Sequence, residues 1–167
     1  MEGLIGLFSM SRIEFIASFH GLFATISLIL FGMGLTFISI LPKATTFIKP
    51  LKLVMLILLI VLILHTFLGF VIYVPYRADG GPRTTILESD RPWLHEVIFE
   101  HKEFLAYLPW LLILISTVIV YYLGTGLADA GSKPLRMLVL ASLILGLIYT
   151  LVVSSEAVLV TKFAPLR

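Results

Sequence analysis

Four histidines lie at positions 20, 65, 95 and 101, and five glutamates, Glu14, Glu96, Glu100, Glu103 and Glu156, fall near them once the chain is laid out as helices. Neutral imidazole is the commonest nitrogen ligand for iron, copper and zinc, and it is also a proton carrier near neutral pH. His20 stands eight residues after Arg12, about 12 Å along a helix, and His101 ten after Arg91, about 15 Å; His65 lies twelve before Arg77, about 18 Å. Three imidazoles at matching depth on three helices suit the axial ligation of b-type haem, which needs two facing nitrogens and small residues where the macrocycle presses on backbone. His20 and His101 are the expected axial pair, with Gly21 beside His20 and Gly69 one turn after His65 leaving room for the ring. His65 is then a second-site candidate: ligand to another haem, partner of a propionate, or hydrogen-bond donor to a quinone. The rival chemistry is copper, zinc or di-iron without porphyrin. Di-iron cores use Glu-x-x-His pairs, whereas His95–Glu96 and Glu100–His101 are adjacent and diverge by about 100°.

The elements that must hold these groups are apolar. The 167 residues are 59% hydrophobic with a mean hydropathy of +1.08, which excludes an ordinary soluble domain. Four long apolar stretches, about 13–41, 51–76, 93–123 and 135–160, each reach the roughly 20 residues that cross a bilayer as a helix. The first keeps Glu14 and His20 within it and lacks a basic leader, so it reads as a retained helix rather than a signal peptide. Short connections, "PKATTFIKP" and "GTGLADAGSKP", predict antiparallel neighbours and a single-domain, all-α, up-down-up-down four-helix bundle, with the first and third helices diagonal. Pro109 predicts a kink in the third helix, because it has no N–H for the carbonyl of Leu105.

Small and polar residues predict the inward faces. On the first helix these are Glu14, Ser18, Gly21, Thr25 and Gly32, with His20, Ala24, Ser27 and Gly34 adjacent; on the second His65, Gly69, Ile72 and Tyr76; on the fourth Ser142, Gly146, Tyr149, Val153 and Glu156. Glu96, Glu100 and Glu103 at i, i+4, i+7 predict one acidic helix face, either a solvated entrance or a path for protons or quinol. Trp93, Trp110, Tyr73, Tyr76, Tyr121 and Tyr122 suit interfacial belts.

Charge bears on orientation and on partners. Four crossings place both termini on one side, together with Arg12, Arg77, Arg83, Arg91, Lys102, Lys162 and Arg167. The opposite side holds Lys43, Lys49, Lys52, Lys133 and Arg136 in compact loops with one acid, Asp129, which favours that side as cytoplasmic and the termini as extracytoplasmic. The absence of cysteine excludes disulfides, Cys-bound iron–sulfur clusters and covalent c-type haem. No phosphate-binding loop, HExxH helix or nucleophile elbow is present, and no nucleic-acid partner is expected.

"FHGLFATISLILFGMGL", with "LHTFLGFVIYV" and "FEHKEFLAYL", resembles the core helices of the transmembrane ascorbate-reducible b cytochromes. That resemblance implies haem b held by histidines of alternate core helices, His20 with His101; the fourth helix has no histidine to pair with His65, so one haem is expected and a second would have unusual ligation. The first three helices are also similar to one half of haem A synthase, which implies Glu14 as a carboxylate acting in proton transfer and His65 as a ligand to substrate haem, although Glu14 precedes His20 by six residues and no Arg follows the histidine. The expected role is electron transfer between a membrane quinol and a redox partner subunit, within a larger complex or a homo-oligomer. The alternatives are a haem-modifying enzyme and a structural or metal-handling membrane subunit without haem.

Overall fold

The computed structural model describes residues 11–164. Helix α1 (Arg12–Ile40) opens with a capping box: the Glu14 N–H donates to Ser11 Oγ at 3.2 Å, and the Ser11 N–H donates back to Glu14 Oε2 at 2.7 Å. It ends just before Pro42. Helix α2 (Ile48–Arg77) carries Pro50 in its first turn, where no N–H is needed, and Arg77 in its last, where a cation suits the carbonyl end. A tight turn follows: Gly80 adopts φ +72°, and a Cβ on Gly81 would stand 2.6 Å from the Pro75 carbonyl oxygen, so only glycine fits there. This turn leads into a short helix α3 (Pro82–Leu87).

The third apolar stretch is broken in two places. It starts as a π-helical segment (Leu94–Phe99), continues as α4 (Glu100–Leu105), turns at Ala106 and Tyr107, and resumes as α5 (Leu108–Leu123). The interruption falls where Pro109 cannot supply a hydrogen bond to Leu105. Gly124, with φ +53°, ends α5, and α6 (Lys133–Phe163) is the last helix among the described residues. No strand occurs among the described residues.

Four segments, Arg12–Ile40, Thr45–Arg77, Leu94–Ala128 and Ala130–Phe163, are long and apolar enough to cross a membrane; at 29 residues the shortest extends about 44 Å, more than the ~30 Å of a hydrocarbon core. Helix α1 packs on α2 and α6, and α5 packs on the same two, so α1 and α5 occupy diagonal positions. Leu30, Phe31, Ile38, Leu51, Met55, Leu58, Ile113, Val120, Val139 and Leu143 form the main buried core. Closest approach between α1 and α6 depends on glycine: a Cβ on Gly146 would meet Phe31 Cε1 at 2.8 Å, and one on Gly34 would meet Leu143 Cδ2 at 3.1 Å.

The inward face of α1 differs from the one that its polar residues predict. Glu14, Ser18, Gly21, Thr25 and Gly32 are exposed, and the buried line is Ser27, Leu30, Phe31, Gly34 and Ile38. Each outer hydroxyl satisfies itself on its own helix: Ser18 donates to the Glu14 carbonyl, Thr25 to Gly21 and Thr36 to Gly32, at 2.9, 3.1 and 2.9 Å. A serine or threonine bonded four residues back needs no partner from another helix and can face outward. On α2 and α6 the expected faces are buried in part: Tyr76, Ser142 and Gly146 are buried, while His65, Gly69, Ile72, Tyr149, Val153 and Glu156 are half-buried.

Candidate functional site

Two groups of ionisable side chains gather toward the end of the molecule where α2 finishes and the π-helical segment begins. In the first, the imidazoles of His20 on α1 and His65 on α2 stack face to face, with centroids 3.9 Å apart and planes 9° from parallel. Nδ1 of His20 lies 3.0 Å from the His65 carbonyl oxygen, and Nδ1 of His65 lies 3.1 Å from the His20 carbonyl oxygen. A carbonyl oxygen only accepts, so each Nδ1 carries the proton and donates it. In the neutral ring each Nε2 is therefore left with a lone pair, and no hydrogen bond to either Nε2 occurs among the described residues. Gly69 permits this arrangement, since a Cβ there would stand 3.3 Å from Cε1 of His20. Gly21 faces open space, with no atom within 4 Å of where its Cβ would be.

His101, on α4, is engaged differently. Its Nδ1 is 2.6 Å from Oε1 of Glu156 on α6, a carboxylate whose side chain is only 13% exposed against 53% for the histidine. An ionised carboxylate also only accepts, so His101 too holds its proton on Nδ1. The other oxygen, Glu156 Oε2, is buried without a protein partner. The structure thus brings His20 to His65 and His101 to Glu156. Lys102, next in the chain, places its ammonium 4.3 Å from the centre of the Phe99 ring.

The second group centres on His95, 3% exposed within the π-helical segment. Arg83 Nε donates to His95 Nε2 at 3.1 Å; arginine cannot accept, so Nε2 is the bare nitrogen and Nδ1–H donates to the Tyr76 hydroxyl at 3.1 Å. Tyr76 stacks on Phe99 at 3.9 Å and 9°. Beside it the Arg77 guanidinium donates to Glu100 Oε1 at 2.9 Å and Glu103 Oε2 at 3.2 Å while lying over the Tyr73 ring. Tyr76, Ile86, Leu94, Phe99, Val160 and Ala164 close an apolar cluster around this network.

The acidic face expected of Glu96, Glu100 and Glu103 is therefore divided. Residues 94–99 wind as a π-helix, which shifts the register before Glu100, so Glu96 is exposed while Glu100 and Glu103 converge on Arg77. Tyr76, expected both on the inward face of α2 and in an interfacial belt, is 4% exposed and bonded to His95, which fits the first expectation and not the second. Arg83, Tyr76 and Arg77 have roles that sequence reasoning missed. Their one signal is "DGGPR", where a glycine turn and a proline at a helix start fold Arg83 back toward the bundle. Glu14, the carboxylate of the synthase likeness, is engaged in the α1 cap and exposed. Among the described residues no three His, Cys, Asp or Glu side chains gather as a metal cage.

The class that fold and site define, among the described residues, is a helical protein with four potential membrane spans, one stacked histidine pair and one histidine held by a carboxylate, each with its proton on Nδ1. No family model, curated protein or solved structure matches the chain.

Proposed function

We propose that the chain crosses a bilayer as an up-down-up-down bundle, with its basic loops cytoplasmic and its termini outside, and that it binds b-type haem in the layer of His20, His65 and His101. Its role is to pass electrons between a membrane quinol and a redox partner, as a subunit of a complex or a homo-oligomer. The observation that carries the reading is the common state of the three imidazoles: each has Nδ1 held by a carbonyl or carboxylate, which leaves Nε2 as the basic nitrogen. This is how protein ligands to a metal are oriented, the second-shell acceptor setting both tautomer and ring angle.

The donor set fits haem in chemistry, and the stacking limits which pair would hold it. Rings 3.9 Å apart and parallel leave no space for a macrocycle between them, so His20 and His65 as stacked are not two ligands of one iron. One histidine from the α1–α2 side would serve with His101 of the α4–α6 side, the pairing that the diagonal placement of α1 and α5 favours. Bound haem would supply a one-electron ferric–ferrous couple. Around it, Glu156 would hold the His101 ring, the His65 carbonyl would hold that of His20, and Lys102 and Arg77 would place positive charge near the layer. Pyridine extraction of the purified protein tests this: non-covalent haem b in stoichiometric amount supports it, and protein free of haem after expression with excess haem refutes it.

A second reading has one observation in its favour. The reciprocal His20–His65 bonds join α1 to α2 as a structural staple whether or not haem is present. In that case substituting both histidines with Gln lowers the thermal midpoint and changes no spectrum.

A further inference from the structure

At the opposite end from the histidine layer, a groove of about 260 Å³ opens between α1 and α6, lined by Ile38, Ser39, Pro42, Arg136, Met137 and Leu140. Its walls are mainly apolar; the Ser39 hydroxyl is spent on the Leu35 carbonyl at 2.7 Å, and the other polar group is a guanidinium. Arg136 uses Nη1 to hold the carbonyls of Leu127 and Asp129, at 2.9 and 3.3 Å, while Nε and Nη2 make no hydrogen bond among the described residues. Two further cations adjoin the groove in sequence: Lys43 follows Pro42, and Lys133 lies one turn before Arg136 in the first turn of α6; both are exposed.

The wider charge pattern points the same way. This end holds Lys43, Lys49, Lys52, Lys133 and Arg136 against one acid, Asp129, leaving seven cations and nine acids for the rest of the chain. None of those five cations forms an ion pair among the described residues, whereas at the other end Arg77 grips two glutamates and Arg91 pairs with Asp90. Unpaired cations beside a small apolar groove, in a helix pair that lipid would surround, are complementary to one occupant: a molecule with an anionic phosphate head and hydrocarbon chains. At about 260 Å³ the groove has room for a headgroup and its first methylenes rather than a whole lipid.

We propose that this groove binds the headgroup of an anionic phospholipid, with Arg136, Lys133 and Lys43 as cationic partners and Ile38, Met137 and Leu140 against the start of an acyl chain. The inference rests on the membrane crossing proposed above and is independent of haem. It also places this end at the leaflet rich in anionic lipid.

Native mass spectrometry of the whole chain, released from bilayer discs made of phosphatidylglycerol and phosphatidylcholine in equal parts, is the test. Wild type is expected to retain phosphatidylglycerol in preference, and Lys43→Gln and Lys133→Gln to lower that preference about fivefold for each charge removed, the scale of one basic residue near an anionic surface. Leu140→Trp fills the groove without changing charge and is expected to abolish retention. Lys49→Gln, an exposed cation of the same end that, unlike Lys43 and Lys133, neither adjoins a lining residue in sequence nor lies one turn from one, leaves it in place. Equal retention of both lipids by wild type overturns the proposal, as does an equal loss in Lys49→Gln and Lys133→Gln, which would mean general surface attraction. The lysine variants keep the Arg136 bonds that hold the preceding loop, and because Leu140 packs against the main core, the thermal midpoint of Leu140→Trp is measured beside its lipid spectrum to show that it is folded. Sidedness is read separately by labelling a single cysteine at position 49 in sealed vesicles. External labelling there overturns the orientation alone, while the lipid spectrum decides the groove.

Discussion

At the scale of single residues, the chemistry turns on which ring nitrogen carries the proton. Carbonyl acceptors on facing helices set it for His20 and His65, a carboxylate sets it for His101, and an arginine donor sets it for His95. That His20 and His65 lie level was legible from spacing, because each is counted from a charged residue near a helix end. Their pairing was not, since the approach of His20 to His65 depends on the angle between two helices and on the missing side chain of Gly69. Gly69→Val is expected to push the His20 ring off the His65 carbonyl and cost about 1–3 kcal/mol, the range for forcing extra atoms into a packed site. Thermal denaturation in detergent would read it, and an unchanged midpoint would mean that the ring is not held there. Tyr76→Phe leaves the buried His95 Nδ1–H without an acceptor, with an expected cost of about 1–3 kcal/mol. Tyr121→Phe, at an exposed hydroxyl, should cost less in the same assay.

At the scale of elements, the third apolar stretch departs furthest from a uniform helix. Its proline break follows from a missing N–H and was legible in Pro109; its π-helical start was not, because no residue type forbids i→i+4 bonding between 94 and 99. That segment nevertheless turns His95 toward Tyr76 and Arg83 while Glu100 and Glu103 meet Arg77. Deleting Val97, which is 59% exposed, would let the segment revert to α-helix and swing these groups out of register. The expected result is loss of folded protein or a strongly lowered midpoint, whereas Val97→Ala is tolerated; equal behaviour of deletion and substitution would argue that the register is unimportant. Polar residues on α1 misled for a physical reason already visible in Ser18, Thr25 and Thr36: a hydroxyl bonded to its own helix says nothing about which way the helix faces. Glycine was the better guide at Gly34 and Gly146, where contact between helices leaves no room for a Cβ. Gly146→Val is accordingly expected to displace Phe31 and lower the midpoint, while Gly32→Val, facing open space, is not.

At the scale of the whole molecule, four apolar runs of spanning length were legible from hydropathy alone, and four segments of that kind are present among the described residues. The loop between α2 and the π-helical segment folds its own helix α3 against the bundle and contributes Arg83 to a buried network, a placement that depends on the Gly80–Gly81 turn and leaves no mark in hydropathy. The molecule is polarised: ionisable pairs gather at one end and unpaired bases at the other. With no cysteine in the chain, single cysteines report sidedness cleanly, and position 88 is expected to label from outside. The central claim, that the histidine layer holds haem b, is most directly tested by the reduced-minus-oxidised absorption spectrum of the purified protein. The account predicts the bands of bis-imidazole haem b, lost in His101→Ala and in His20→Ala but kept in Glu14→Gln. A colourless protein with no iron by elemental analysis would contradict it.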